Sequence, residues 1–346
     1  MDELLRRFVQ RRRVSAVTAA LVPAEGPVEE HVVGVRRRGS RDPALVSDRW
    51  HIGSCTKTFT AALWGRLVEL GHAEWDMPLG QALADLDGDM HPDWTGQTVD
   101  SVFWCRAGFK ANLSPDQMKQ AWDDSRPLAD QRTDAARQAL GDPPDRPGEV
   151  SYSNLGLIVV GAAIDRLAGA TFEQALDTHV LAPLGIESAG FGPPGEIWGH
   201  PARFRFGDFG LLAGPPADPS DPFSDNPAVF SAAGTMHITM ADWAKFVRVF
   251  MVGGSNLLRD STVDHLLQTP HGGEYGMAMG WLRTRTLPGA AYVMQGSNTM
   301  WSTAALIDSD RRHAVLVACN DGRNRVLNGT ARLAARLLTD SGGTRQ

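Results

Sequence analysis

The sequence predicts an α/β protein: a five-stranded antiparallel sheet flanked by helices from both chain ends, with a mostly helical region inserted between. Three observations carry that expectation. β-Branched and apolar runs cluster at the two ends of the 346 residues. The middle reads as helices broken by Pro/Gly-rich loops. Helical periodicity returns at the extreme termini.

In chain order, Met1 to Phe8 forms an amphipathic helical start, and residues 14–22 and 31–35 read as a hairpin across a Pro/Glu/Gly turn. Residues 54–71 form a helix with Phe59, Leu63, Leu67 and Leu70 on one stripe and Gly71 as its stop. Further helices fall at 114–122, 135–140, 155–167, 172–180 and 240–252, and the longest loop runs over 190–227. Strands follow at 291–294, 303–307 and 314–319, the last two joined by a turn at Asp308-Ser309-Asp310-Arg311-Arg312. A closing helix over 325–338 carries Val326, Leu327, Leu333 and Leu337. The domain division expected is 1–70 with 240–346 for the sheet and its helices, and 71–239 for the helical insertion.

Composition narrows the function. Hydrophobic residues make up 42% and charged residues 21%, ordinary for a soluble globular chain with ample core. A net charge of −6 argues against nucleic acid as a partner, and the triplets Arg11 to Arg13 and Arg36 to Arg38 read as solvated faces. No apolar run has membrane-helix length, and the N-terminus lacks the apolar core of a secretory signal. Cys55, Cys105 and Cys319 are too few and scattered for a disulfide framework or a zinc site, which suits a cytoplasmic location. Asp85-x-Asp87-x-Asp89 opens like a calcium loop, but Met90 replaces the required Gly and Gly96 the closing Glu. His271-Gly272-Gly273 lacks the Gly-x-Ser-x-Gly that an oxyanion loop of the α/β-hydrolase kind accompanies.

Of 34 basic residues only four are lysines: Lys57, Lys110, Lys119 and Lys245. Lys57 follows Ser54 by three in the run His51-Ile52-Gly53-Ser54-Cys55-Thr56-Lys57. Residues three apart share a helix face, so the hydroxyl and amine are placed as nucleophile and base. Lysine, unlike arginine, can shed its proton near neutral pH. The plain alternative is a surface lysine on an amphipathic helix. Cys55 points about 100° away on such a helix and reads as core.

Tyr152 and Asn154, in Ser151-Tyr152-Ser153-Asn154, form a second candidate. A phenol and an amide on a rigid turn suit proton transfer and substrate positioning. A helix-capping turn is the competing reading, with Ser153 or Asn154 as N-cap. Met294-Gln295-Gly296-Ser297 at a strand end is the third, because a Gly there lets a ligand approach the backbone. An ordinary strand exit fits the same residues.

Taken in order, these blocks resemble the serine β-lactamase/penicillin-binding protein superfamily, most closely its class C-like esterase branch (family VIII carboxylesterase-like). The resemblance covers nearly the whole chain. It runs through Ile52-Gly53-Ser54-Cys55-Thr56-Lys57-Thr58-Phe59, Pro147-Gly148-Glu149-Val150-Ser151-Tyr152-Ser153-Asn154 and Leu181-Ala182-Pro183-Leu184-Gly185. It continues with Ala232-Ala233-Gly234-Thr235-Met236 and Gly296-Ser297-Asn298-Thr299-Met300-Trp301. It implies the serine β-lactamase/DD-peptidase-like fold, with the active-site cleft between sheet domain and insertion.

By the same resemblance Ser54 is the nucleophile, Lys57 its base, and Tyr152 the carrier of the proton to the leaving group. Asn154 holds the substrate and orients Lys57. The backbone N–H groups of Ser54 and Ser297 form the oxyanion hole, and Gly296 and Met294 border the substrate. No metal or organic cofactor is implied. Members usually carry Lys or His where Met294 stands, and often His where Cys105 stands. The expected function is a serine hydrolase of small-molecule esters or amides, with ester activity favoured over β-lactam hydrolysis. The alternatives are an acyltransferase using an acceptor other than water, or a catalytically silent binding protein on the same scaffold.

Overall fold

The computed structural model describes residues 1–206 and 209–342. Its main sheet is antiparallel throughout and orders its strands Glu29–Gly34, Ala16–Pro23, His313–Cys319, Ser302–Asp308, Ala290–Ser297, Leu282–Arg283 and Gly276–Met277. The five expected strands are contiguous in that order. Two further strands of two residues each extend one edge, and a two-residue strand is too short to show the alternation by which strands are read.

Alternation along the strands separates two cores. Val17, Val293, Leu306, Val315 and Val317 pack with Leu5, Phe8, Val326 and Leu337, from the terminal helices Asp2–Arg12 and Asn324–Gly342. Ala16, Met294, Ala305, Ile307 and Leu316 face the larger core with Phe59, Leu63 and Trp64. Met294 and Gly296, two apart on one strand, therefore share the face that meets the Ser54 segment. The strand register sets Met294 opposite Ala305 and Gly296 opposite Thr303.

The stretch expected as one helix from 54 divides. Gly53–Cys55 is a 3-10 turn, and the α-helix runs over Thr56–Glu69. That helix is buried almost all round, from Thr56 to Gly65 without a break, and not along one stripe alone. The turn before it packs on the strands Ala290–Ser297 and Ser302–Asp308, and the helix itself on the segments Asn154–Ala168 and Ser231–Gly234. The expected loop over 190–227 contains the strands Gly190–Phe191, Ala202–Phe206 and Phe209–Ala213. Gly190–Phe191 joins Met236–Ile238 and Trp50–His51 in a three-stranded sheet. This small sheet leads directly into the Gly53 turn.

A buried guanidinium ties the helices around that turn. Arg132, fully buried on Leu128–Gly141, donates to both oxygens of Asp165 (2.8 and 2.9 Å) and of Glu173 (2.8 and 3.1 Å). It also reaches Ser231 Oγ at 3.0 Å. Burial alone pushes the Glu173 carboxyl up, but hydrogen bonds and charge from Arg132 hold it below its ordinary range. One side chain thus fixes the segments that begin at Asn154 and Ser231.

Of the arginine triplets, Arg11, Arg13, Arg37 and Arg38 are exposed as expected, while Arg12 and Arg36 are half-buried. Arg36 pairs with buried Asp48 (Nη2 to Oδ1, 2.6 Å), and Arg37 lies 4.7 Å over the Trp198 ring. The carbonyl oxygens of Arg12 and Arg13 accept from the buried Arg323 guanidinium. Among the described residues, no single helix is long and apolar enough to cross a membrane.

Candidate active site

Between residues 50 and 65, Ser54 alone is not buried. The turn that lifts it depends on two glycines. Gly53 has φ +53°, and a Cβ there would collide with the Ser297 backbone nitrogen. A Cβ on Gly296 would collide with the Ile52 carbonyl oxygen. The turn before Ser54 and the strand end before Ser297 therefore interlock, backbone against backbone. The group that approaches Gly296 most closely here is the protein's own Ile52 carbonyl. Thr303 Oγ1 donates to that carbonyl at 2.9 Å, and Thr56 Oγ1 donates to Gly53 O at 2.7 Å. The Ser297 amide nitrogen is thereby held against Gly53, one residue from the Ser54 amide.

Lys57 is 3% exposed, and its Nζ meets three oxygens: Ser54 Oγ at 3.2 Å, Asn154 Oδ1 at 2.7 Å and the Ala233 carbonyl at 2.5 Å. Asn154 Nδ2 donates to Asn112 Oδ1 at 2.7 Å, which turns its amide oxygen toward the lysine. A charged ammonium would donate to all three oxygens, and the neutral amine that a base requires fits the same site. The Asn154 and Ala233 oxygens are acceptors only. A neutral amine fills both with its two N–H groups and leaves its lone pair facing the one hydroxyl. In that state Ser54 donates and Lys57 accepts, the arrangement a general base requires.

The segment bearing Tyr152 runs beside residues 105–111. Ser151 N donates to Cys105 O (2.7 Å), Ser153 Oγ to Lys110 O (2.6 Å) and Asn154 N to Ala111 O (2.8 Å). The capping reading of this turn holds. Ser153 caps the helix Asn154–Ala168 by accepting from Gly156 N at 2.9 Å, while Asn154 turns its side chain to Lys57. The Tyr152 ring centroid lies 5.0 Å from Lys57 Nζ and the residue is 42% exposed. Tyr152→Phe keeps that ring and removes only the hydroxyl. It is expected to slow a simple alkyl ester about 100-fold and a p-nitrophenyl ester less than about 10-fold, because an alkoxide needs a proton on departure and a nitrophenolate does not. Parallel kcat/KM measurements on the two esters check this, and equal losses reassign Tyr152 to a structural role.

Met294 is buried in the larger core at 5% exposure, on the sheet face that meets the Ser54 segment. Its carbonyl accepts a weak bond from Cys55 Sγ at 3.7 Å. Cys55 is fully buried as expected, and burial pushes its thiol up to about 12. Cys105, where relatives often carry His, is buried with φ +58°, and its carbonyl makes the contact that positions Ser151. Burial pushes this thiol up as well. Asp85 and Asp89 turn to Arg166 and Arg137.

Sequence reading missed Asn112, Ala233, His51, Asp225 and Asn298. Ala233 acts through its backbone, which no side-chain pattern reports. Asn298 and His51 lie inside the quoted motifs without a signal of their own, and Asp225 lies in the stretch read as a long loop.

A profile of the Beta-lactamase family matches residues 1–339. Penicillin-binding protein 4 of Amycolatopsis lactamdurans is 23% identical over 239 residues, 68% of this chain and 59% of its own length. Beta-lactamase of Escherichia coli (strain K12) is 23% identical over 199 residues, 56% of this chain and 49% of its own. The matched region thus spans only about half the length of these curated relatives. The crystal structure of D-amino acid amidase from Ochrobactrum anthropi SV3 complexed with L-phenylalanine superposes with a TM-score of 0.79 over 100% of both chains, at 19% identity. At that identity the likeness establishes the shared fold.

Proposed function

The chain belongs to the beta-lactamase family, and on that footing we propose that it is a serine hydrolase working through an acyl-enzyme on Ser54. The observation that carries this reading is the lysine amine 3.2 Å from Ser54 Oγ, with its other two directions filled by acceptors. Lys57 takes the hydroxyl proton as Oγ attacks the substrate carbonyl. The oxyanion is received by the Ser54 and Ser297 N–H groups, a pair of donors worth about 3 to 4 kcal/mol each in comparable sites. Collapse expels the leaving group with a proton passed through Tyr152, and water then attacks the acyl ester. Asn154 both holds the substrate and orients Lys57.

Substrate preference follows from Met294. Where relatives carry Lys or His, this chain supplies no charge for a substrate carboxylate. A hydrogen bond to such a charge is worth about 1.5 to 3 kcal/mol, so its absence costs roughly 10- to 150-fold against β-lactams and nothing against neutral esters. Met294 is itself packed in the core, so its effect is the missing charge and not a new apolar contact. The expected result is a kcat/KM for p-nitrophenyl butyrate at least about 10-fold above that for any cephalosporin. A cephalosporin that equals the best ester overturns the preference. The reaction class is tested separately: a fluorophosphonate should add one mass equivalent to the intact protein, mapped by peptide analysis to Ser54. An unlabelled Ser54 removes the hydrolase reading.

A further inference from the structure

Behind the Gly53 turn lies a buried polar chain that the mechanism does not use. Asp225 is 5% exposed, His51 is fully buried and Asn298 is 5% exposed. His51 Nε2 stands 2.8 Å from Asp225 Oδ2, and Gly53 N donates to His51 Nδ1 at 3.1 Å. These contacts fix the tautomer: Nδ1 accepts, so Nε2 carries the hydrogen and donates to the carboxylate. On the other side, Asn298 Nδ2 donates to Asp225 Oδ1 at 2.9 Å. Asn298 Oδ1 in turn accepts from Met300 N (3.1 Å) and Trp301 N (3.2 Å), closing the turn that follows Ser297. Ser297 Oγ donates to Trp301 O at 2.7 Å, and the His51 ring stacks on Trp301 at 5.3 Å.

We infer that Asp225 is the positioning residue of the oxyanion hole, one carboxylate that fixes through His51 and Asn298 the two turns bearing the Ser54 and Ser297 amides. The two arms of the carboxylate end on two separate turns, each adjacent to one oxyanion donor. Asp225 itself arrives from a third segment, anchored there by Trp122 Nε1 donating to its carbonyl at 3.1 Å. Apolar side chains of similar volume often replace such buried charged networks without loss of stability. They would not orient the Gly53 N–H or cap the Met300 and Trp301 amides. A hole built from backbone donors works only if their separation is set before the charge develops, and this network sets it from behind.

The inference rests on Ser54 acting as proposed above, and the two fail separately. Absence of wild-type labelling removes that reading. A labelled wild type whose variants match it removes only this one. The variants are Asp225→Asn, His51→Phe and His51→Asn. Each is assayed for kcat and KM on p-nitrophenyl butyrate, for inhibition by phenylboronic acid, whose serine adduct places an oxygen in the hole, and for Tm. Asp225→Asn and His51→Phe are expected to lose about 10- to 100-fold in kcat and in boronate affinity, with KM within about threefold. His51→Asn, which keeps an acceptor where Nδ1 stood, should recover at least about fivefold over His51→Phe. A merely structural role would lower Tm without that split or that recovery. Folded variants with kcat and boronate affinity within about twofold of wild type, or equal losses in His51→Asn and His51→Phe, overturn the inference. If Asp225→Asn does not fold, the two His51 variants decide it.

Discussion

Lys57→Arg is expected to lower kcat/KM by about 1000-fold or more, although charge and approximate length are kept. The hydrogen count around Nζ gives the reason. Two of the three oxygens Nζ meets can only accept, so the one direction left for a lone pair is toward Ser54, the group the base must deprotonate. A guanidinium has five N–H donors and no lone pair to offer, and it stays protonated throughout the working pH range. Arginine would satisfy Asn154 and Ala233 and still leave the Ser54 proton in place. Ser54→Ala should abolish fluorophosphonate labelling altogether, and Lys57→Arg should slow it in proportion to its loss of kcat/KM. Retention of more than about a tenth of wild-type kcat/KM, a loss below about 1.4 kcal/mol, would show that another group takes the proton.

Gly296→Ala is the second large effect. The added methyl meets the Ile52 carbonyl oxygen and Thr303 Oγ1, and the first of these is backbone inside the turn that presents Ser54. Neither partner is free to yield, because Thr303 Oγ1 is itself bonded to Ile52 O and the strand is held in register with Ser302–Asp308. Relief can come only by parting the strand end from the turn, which carries the Ser297 amide away from the Ser54 amide. Overpacking of this kind costs about 1 to 3 kcal/mol of stability, and the loss of one oxyanion donor costs about 100- to 1000-fold in kcat. Thermal melts and steady-state kinetics on one preparation check both halves. Unchanged kcat in a folded Gly296→Ala protein would mean that the hole does not depend on this contact.

Much of the architecture was legible because it is written locally. The five longer sheet strands declare themselves by β-branched runs, and Ser54 and Lys57 by their spacing at the start of a helix. What was not legible is long-range. His51 and Asp225 meet across 174 positions, and nothing near either residue announces the other. Ala233 contributes a carbonyl, the one group every residue shares. Gly296 was noticed for the right property, absence of a side chain, but sequence could not say whether ligand or backbone would take the space. The short strands of the small sheet failed for want of length: two or three residues carry no readable period.

The thiol of Cys55 follows the Ser54 hydroxyl by one residue, and sulfur is intrinsically the stronger nucleophile of the two. With burial holding its proton on, the thiolate is scarce at pH 7. The turn therefore settles the competition between oxygen and sulfur by access and dielectric alone. The better nucleophile is sealed in the interior, and the poorer one stands at the surface with a base beside it. Selectivity among reactive groups in this protein is a property of where the backbone aims them, and only secondarily of the elements they contain.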